Sequence, residues 1–197
     1  EHIKSIRYFF LISFFIFNFN AESQNIDIDI NKAKSLYAEK KYDQAVILFE
    51  KIYKKEKSSR IYTSYLDCLI NLSKFEKAIE IVKNYYKKHG KNPSILIDLG
   101  ELYMLKGDEK LAQKQFEKAI EEIKKKPNFI LSVASNFYKK KNYNYALKAY
   151  LIAKEKKTNN YSLQISSIYS QLGQVENMYQ ELLDLLLVSP SYLQTCK

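Results

Sequence analysis

The sequence predicts an all-α chain built from about five repeated helix–turn–helix units. Apolar residues recur at helical spacing on both sides of short polar turns, as they do around Lys106-Gly107-Asp108. No run of alternating apolar and polar residues bounded by turn residues indicates a sheet. The 197 residues include only 4 Gly and 3 Pro, which leaves little material for long loops. These three observations together favour helices joined by tight turns.

The segment from Pro93 to Lys126 shows the repeated unit most clearly. Two helical patterns flank its central turn, and the apolar residues of each fall on one helix face. Gly100 and Ala112 are small where the two helices have to approach closely, and Tyr103 and Phe116 are large beside that contact. The pattern therefore predicts a helix pair with one shared apolar interface.

The same unit recurs along the chain at a nearly constant period. The small residue of the second helix gives the register, with successive separations of 33, 34, 34 and 32 residues. Its copies are Ala45, Ala78, Ala112 and Ala146, and Met178 follows at the equivalent position of the last repeat. The large residue four positions later is Phe49, Val82, Phe116, Tyr150 and Leu182. The small residue of the first helix is Ala33, Gly100, Ala134 and Ser166, with Leu66 as an exception.

This arrangement resembles the tetratricopeptide repeat, a helix–turn–helix unit of about 34 residues. The resemblance covers roughly residues 25–190 and implies a right-handed α-solenoid. The predicted repeats are about 26–58, 59–92, 93–126, 127–158 and 159–190 of a domain spanning 24–190. The chain lacks tryptophan, and Tyr62, Leu96 and Ile130 stand where the family commonly has one.

Residues 1–23 lie outside the predicted repeats and are typical of a secretory signal peptide. A weakly basic start with Lys4 and Arg7 precedes a nearly unbroken apolar run over 8–19. Ala21 and Ser23 then place small residues at the positions that a signal peptidase recognises, so Gln24 is the expected first mature residue. The alternative is a membrane anchor. A spanning helix, however, needs about 20 apolar residues, and the run over 8–19 is shorter than that. We therefore expect an exported protein, periplasmic or associated with the envelope.

The first predicted helix has an ambiguous beginning. Residues 25–31 alternate isoleucine and aspartate and could form a short strand, but the residues after Ala33 continue at helical spacing, so we expect an irregular helix start. Its partner helix is predicted from about Asp43 to Lys55. Pro127 opens the fourth repeat, since a first helical position needs no N–H. The fifth repeat is expected to turn at Leu172-Gly173 and to end near Pro190.

The end of the sequence suggests a fragment of a longer protein. Residues 181–188 are apolar on more than one helix face, whereas the last helix of a solenoid normally has a polar outer face. Residues 191–197 resemble the start of a further, truncated helix. We expect more repeats or another domain beyond residue 197.

The composition gives no support for catalysis. Of the two histidines, His2 lies in the signal segment and His89 has no visible partners for a metal site or a nucleophile. No glycine-rich phosphate loop is present. Cys68 is expected to be a small buried residue. A bridge to Cys196 is not expected, because the two lie about four repeats apart in a structure where only neighbours touch. We expect no enzyme, no cofactor and no metal.

In tetratricopeptide proteins the first helices line a concave groove that holds extended or helical peptides. Transferred by register, that role falls on Ile30, Lys34, Tyr37, Thr63, Asp67, Ile70, Ile97, Glu101, Met104, Leu131, Ser135, Tyr138, Leu163 and Ser167. The set is apolar with scattered acids and lacks the basic and amide clamp of members that hold a terminal carboxylate. It suits a partner with aliphatic or aromatic anchors and a basic residue or two. The alternative is that some of these residues only pack between neighbouring first helices.

The formal net charge is +10, and lysines cluster near the end of each second helix. The predicted basic edge consists of Lys54, Lys55, Lys87, Lys88, Lys124, Lys125, Lys126, Lys154, Lys156 and Lys157. These cations complement helix C-termini. Alternatively, they contact an anionic membrane or polymer. Sequence-specific nucleic-acid recognition is not expected, because only Arg7 and Arg60 are arginines.

Together these features predict a protein–protein interaction scaffold that binds a peptide or protein partner in the groove of the solenoid. The resemblance implies a bacterial envelope or secretion assembly as its setting. One alternative is a peripheral binder of an anionic membrane or polymer through the basic edge. Another is a docking arm for a domain beyond residue 197. No small-molecule substrate is expected.

Overall fold

Helices account for nearly all of the chain that the computed structural model describes, which comprises residues 26–56, 59–156 and 160–188. No strand occurs within those ranges, so the predicted all-α class is confirmed. The predicted signal segment, Lys157, Cys196 and the predicted helix start at 191–197 lie outside them. The helices are α1 (26–38), α2 (Tyr42–Glu56), α3 (Ser59–Asn71), α4 (Phe75–Lys88), α5 (Ser94–Leu105), α6 (Glu109–Lys125), α7 (Ile130–Lys139), α8 (Tyr143–Glu155), α9 (Ser162–Gln171) and α10 (Val175–Val188).

Each predicted repeat contains one pair of these helices. Residues 26–30 are helical, so α1 needs no irregular start and the strand alternative is wrong. Pro127 begins a short 3-10 helix, Pro127–Phe129, that leads into α7. The proline therefore opens helical structure as expected, one turn before the α-helix itself.

The turns inside the five helix pairs have the same backbone conformation. Each contains one residue with positive φ, namely Lys40, Ser73, Gly107, Lys141 and Gly173. The next residue donates its N–H to the carbonyl five positions earlier, in the bonds Lys41–Leu36, Lys74–Leu69, Asp108–Tyr103, Asn142–Phe137 and Gln174–Tyr169 at 2.8 to 2.9 Å. This is the Schellman motif that ends a helix with a left-handed residue. The backbone thus repeats with the period that the alanines predict.

Lys141 adopts this conformation with φ of 59°, which a side chain with a Cβ disfavours. We expect Lys141→Gly to raise the free energy of unfolding by about 0.5–1 kcal/mol, because glycine relieves the strain. Lys139→Gly, inside α7, is the control and should lower it by about 1 kcal/mol. Urea denaturation of both variants measures the difference. A loss of stability in both variants would contradict the prediction.

The described residues form two compact units, which divide between Ile81 and Val82. In the first unit α2 packs against α3, and the rings of Phe49, Tyr53 and Tyr65 form its aromatic core. The carboxylate of Glu50 accepts a hydrogen bond of 2.6 Å from Lys77, which ties α2 to α4.

The second unit stacks three helix pairs. The helices of each pair pack together, as α5 with α6, α7 with α8 and α9 with α10. Equivalent helices of successive pairs also pack, as α5 with α7 and α6 with α8. One continuous apolar core runs through these contacts from Leu96 to Ile168. Contacts between neighbouring repeats of this kind are what defines a solenoid.

An aromatic cluster lies at the centre of this core. The ring of Phe137 stacks on Tyr145 at 5.2 Å and meets the edge of Phe116 at 5.6 Å. Gly100 faces Phe116 so closely that a Cβ at this position would lie 2.2 Å from Phe116 Cε1. The close helix approach predicted at Gly100 and Phe116 is therefore confirmed, and Phe137 and Tyr145 limit the room into which the Phe116 ring could move.

Polar side chains also tie successive repeats of the second unit together. Asn136 on α7 donates from Nδ2 to the carbonyl of Ser94 on α5 at 3.1 Å. On the second helices, Glu117 accepts hydrogen bonds from the Tyr145 hydroxyl at 2.9 Å and from Lys148 at 3.1 Å. Burial alone would raise the pKa of Glu117, but these two hydrogen bonds outweigh it and lower that pKa. Both sets of helices are thus held in register by specific bonds.

Within the described ranges, no helix is long and apolar enough to cross a membrane. No group of three potential metal-ligating side chains occurs in the same residues. Cys68 is a free, buried thiol as expected, and burial raises its pKa to about 11. That thiol is therefore kept protonated and unreactive.

Candidate functional site

Several of the predicted groove side chains on the first helices of the second unit are exposed. On α5, Met104 is 47% exposed, and on α7 Leu131 and Tyr138 are 47% and 36% exposed. Leu163 and Ser167 on α9 continue the set, with Leu163 partly buried and Ser167 exposed. Large apolar side chains that lie in solvent on neighbouring helices are typical of a binding surface.

A cleft of about 270 Å³ opens on this face, lined by Tyr138, Tyr150, Leu163, Gln164 and Ser167. The hydroxyls of Tyr138 on α7 and Ser167 on α9 are 3.2 Å apart, within hydrogen-bond distance. Three of the five lining residues are sequence-predicted groove residues. The cleft thus brings together residues that lie as much as 29 positions apart in the chain.

Sequence reasoning missed Tyr150 and Gln164 as site residues. Tyr150 was assigned only a packing role, as the large repeat residue equivalent to Phe116. Its hydroxyl is the signal that could have distinguished it, because a buried tyrosine keeps a polar end where phenylalanine has none. Gln164 carries no repeat signal, since no equivalent residue stands out on α5 or α7.

The cleft walls are aromatic and aliphatic, with polar atoms at a few points. The Tyr138 ring lies edge-on to Tyr143 at 5.6 Å, and Tyr150 lies 5.9 Å from Tyr161. Burial, with smaller contributions from Tyr138 and Tyr161, raises the pKa of Tyr150. Its hydroxyl is therefore neutral and able to donate a hydrogen bond. Such a cleft fits an apolar or aromatic side chain that carries one polar group.

Glu101 provides a negative group on α5, next to α7. Its carboxylate is partly buried, and among the described residues it has no hydrogen-bond or ion-pair partner. Burial raises the pKa of Glu101, the neighbouring Asp98 raises it further, and Lys140 opposes both. Lys140 instead lies 3.7 Å from Asp98. An under-compensated carboxylate of this kind is a candidate binding group for a cation.

The raised pKa of Glu101 determines the direction in which its charge changes folding stability. Because its folded-state pKa is raised, the carboxyl group favours folding only while it is protonated, and that contribution disappears as the pH rises through the raised pKa. We expect Glu101→Gln to melt at a higher temperature than the parent at about pH 7 and at the same temperature at about pH 3. Thermal unfolding at both pH values measures this. The exposed Glu109→Gln is the control and should show no such pH-dependent gain.

Residues 93–125, which form α5 and α6, match the family model described as tetratricopeptide repeat. The helix pair α5 and α6 is thus identified as one tetratricopeptide repeat. Proteins with this fold generally act as protein–protein interaction scaffolds and are typically non-catalytic. No curated protein sequence matches the chain.

Several solved tetratricopeptide repeat structures resemble the chain at low identity. The C-terminal part of a repeat protein from Cytophaga hutchinsonii is 20% identical, with a TM-score of 0.42 over 81% of this chain and 64% of that one. The present chain thus spans less than two thirds of that structure. Pseudomonas aeruginosa pilF is 18% identical, with a TM-score of 0.45 and coverage of 87% and 82%. YrrB, described as having an unusual peptide-binding site, is 14% identical, with a TM-score of 0.39 and coverage of 84% and 87%.

Two of the predicted groove residues are buried in the tetratricopeptide fold. Ile97 is 0% exposed and Ile30 is 4% exposed, so the prediction that they face a partner is wrong. α5 packs against both α6 and α7, which buries most of its circumference, including Ile97. Ile30 lies one turn before the fully buried Ala33 and shares its face of α1.

The remaining predicted groove residues of the first unit are only partly available. Lys34 and Thr63 are exposed, whereas Tyr37, Asp67 and Ile70 are partly buried. The Tyr37 hydroxyl donates to Asp67 at 3.0 Å, and this bond together with burial raises the Tyr37 pKa. These two polar groups therefore satisfy each other. In the second unit, Ser135 is also partly buried.

Several lysines of the predicted basic edge are paired with carboxylates. The pairs are Lys54–Glu50 at 3.1 Å, Lys124–Glu121 at 2.7 Å, Lys126–Glu122 at 3.0 Å and Lys154–Glu181 at 2.7 Å. Lys55, Lys87, Lys88, Lys125 and Lys156 are exposed. The edge is thus partly neutralised by the chain's own acids, which weakens its attraction for an anionic surface.

Proposed function

We propose that this protein is an interaction scaffold that binds a peptide segment of a partner on the first-helix face of its second unit. The observation that carries the proposal is the cleft between Tyr138 and Leu163, with its tyrosine walls and scattered polar atoms. A partner's aromatic or aliphatic side chain would enter this cleft and serve as the main anchor. Binding energy in interfaces is concentrated in such well-packed aromatic pockets.

Glu101 adds a second anchor point for a lysine or arginine of the same segment. Its unpaired carboxylate gains most from a cation, because partial burial already disfavours its charge. The bond from Asn136 to Ser94 fixes α7 against α5, so Glu101 and Tyr138 keep a constant spacing before the partner arrives. Such preorganisation lowers the entropy lost on binding.

The setting that we propose is outside the cytoplasm, in an envelope or secretion assembly. The support for it is the sequence of residues 1–23, with a weakly basic start, an apolar run and a small-residue cleavage pattern. Fusing those residues to alkaline phosphatase, which is active only after export, tests the proposal. Absence of phosphatase activity in a bacterial host would contradict it.

The binding proposal is tested with a library of random short peptides selected on the purified chain. We expect the selected peptides to combine an aromatic or large aliphatic residue with a lysine or arginine. Tyr138→Ala should weaken their binding about tenfold or more, because it removes the central wall of the cleft.

Leu111→Ala is the matched control, because Leu111 is 37% exposed, close to the 36% of Tyr138, but lies on a second helix. It should leave peptide affinity unchanged. Isothermal titration calorimetry gives the affinities, and thermal unfolding verifies that both variants fold. The proposal fails if the two variants bind the selected peptides equally well.

A further inference from the structure

The outer face of α10 carries a row of exposed apolar side chains. Val175, Tyr179, Leu183 and Leu187 are 52%, 59%, 56% and 84% exposed, and they follow one another at intervals of four residues. Residues at this spacing form one ridge along a helix. Leu185, on the opposite side, is 2% exposed and packs into the protein. The helix is therefore apolar on two faces, of which the described structure covers one.

The equivalent ridge on the preceding second helix is covered. Counted back by one repeat of 32 residues, the first three positions are Tyr143, Leu147 and Leu151 on α8. All three are partly buried and packed against the core of the second unit. On α8, then, that ridge is a packing surface. The exposed ridge on α10 has the geometry to receive another helix.

The charges beside the ridge indicate what kind of helix fits. α10 contains Glu176, Glu181 and Asp184 and no lysine or arginine, although the whole chain has a net charge of +10. Glu181 is bound by Lys154. Glu176 and Asp184 lie in the row adjacent to the apolar ridge, with Gln180 between them.

Two junctions between second helices pair an acid with a lysine of the next repeat. Glu50 on α2 pairs with Lys77 on α4 at 2.6 Å, and Glu117 on α6 pairs with Lys148 on α8 at 3.1 Å. In both, the earlier helix provides the carboxylate and the next helix provides the lysine. The junction of α8 with α10 has the opposite polarity, through Lys154 and Glu181. On α10, Glu176 is exposed, and Asp184 is partly buried and accepts a hydrogen bond from Gln180 at 2.8 Å. Both carboxylates lie beside the ridge, where a cation of a docked helix could pair with them.

We propose that the α10 ridge is a docking surface for an amphipathic helix of a partner protein, in which an apolar row lies beside lysines or arginines. The apolar row covers Tyr179 and Leu183, and the cations pair with Glu176 and Asp184. A second copy of this chain, docked through its own α10, fits poorly because it sets acids against acids. This surface is separate from the Tyr138 cleft.

Two synthetic helical peptides test the proposal directly. Both carry the same leucine row, and they differ only in having lysines or glutamates beside it. Fluorescence anisotropy with the full chain should show the lysine peptide binding about tenfold more tightly than the glutamate peptide. Leu183→Ser should weaken the lysine peptide about tenfold, since it removes one buried leucine from the contact. Leu111→Ser, a change on the exposed side of α6, is the control and should have no effect.

Reversing the charge of the two acids beside the ridge provides a second test. The double variant Glu176→Lys and Asp184→Lys should reverse the preference, so that the glutamate peptide binds better. In the Tyr138→Ala background, which removes the central wall of the proposed groove, the lysine peptide should still bind about tenfold more tightly than the glutamate peptide, and this separates the two surfaces.

Three results would overturn the inference. The first is equal affinity for the two peptides. The second is a concentration-dependent dimer, seen by sedimentation, that Leu183→Ser dissociates, because a second copy would then occupy the ridge. The third is binding that begins only after residues 189–197 are deleted, because the chain's own end would then cover the ridge.

Discussion

Replacing Phe137 by alanine is expected to lower the free energy of unfolding by about 4 kcal/mol. The ring is 0% exposed and lies between Phe116 and Tyr145 at centroid distances of 5.6 and 5.2 Å. Its removal loses the burial of a whole aromatic side chain and leaves a cavity. Ala134 and Ala146 are also fully buried in this core, and these short side chains cannot extend to fill the space.

The neighbouring residue provides the control. Tyr138 follows Phe137 directly but points its ring toward the cleft and is 36% exposed. Tyr138→Ala should therefore cost about 1 kcal/mol or less. Chemical denaturation of the two variants compares these costs. Similar losses would mean that Phe137 does not hold the centre of the second unit as the ring geometry indicates.

The contrast between these adjacent residues explains how the fold supports a binding face. Phe137 fixes α7 on α8 through the aromatic core, and Asn136 fixes α7 on α5 through Ser94. Tyr138 is then presented from a helix that is held on two sides. A binding group on a rigid helix loses little conformational entropy when a partner docks.

The repeat register could be predicted from the sequence because the contacts that set it lie within one helix pair. Gly100 and Phe116 belong to one helix pair, and their small and large sizes match across a single turn. The same reasoning predicted the turns at Gly107 and Gly173, which have positive φ. It did not find the equivalent turns at Lys40 and Lys141, because lysine carries no signal for the left-handed conformation.

Burial on the candidate face could not be derived from one repeat alone. Whether Ile97 is exposed depends on how closely α7 lies against α5, and that distance is set by contacts such as the bond from Asn136 to Ser94. The cleft similarly depends on the separation of α7 and α9. These are relations between repeats, whereas the periodic pattern describes what happens inside each one.

The pairing of lysines with acids also could not be derived from one repeat alone. Several of their acidic partners lie on the next or preceding repeat, as with Lys77 and Glu50 or Lys154 and Glu181. The sequence therefore revealed the number of cations but not which of them are neutralised. Only the packed structure shows that α10 keeps two acids beside an exposed apolar ridge.

The other large effect is expected from Gly100→Ala, which adds a single methyl group. The new Cβ would lie 2.2 to 2.8 Å from three atoms of the Phe116 ring, far inside van der Waals contact. Phe116 is 4% exposed and packs against Phe137 and Tyr145, so it has little room to turn away. We expect a loss of about 3 kcal/mol, at the upper end of the range for overpacked cores.

Two further variants show whether the clash is the cause. Phe116→Leu in the Gly100→Ala background should recover part of the loss, because the smaller side chain makes room for the methyl group. Gly173→Ala, at φ of 70° with open space around its Cβ position, should cost only about 1 kcal/mol through backbone strain. Urea denaturation measures all three free energies. If Gly100→Ala proves no more costly than Gly173→Ala, the two helices can separate at this point, and the small-and-large pairing would not be what sets the repeat register.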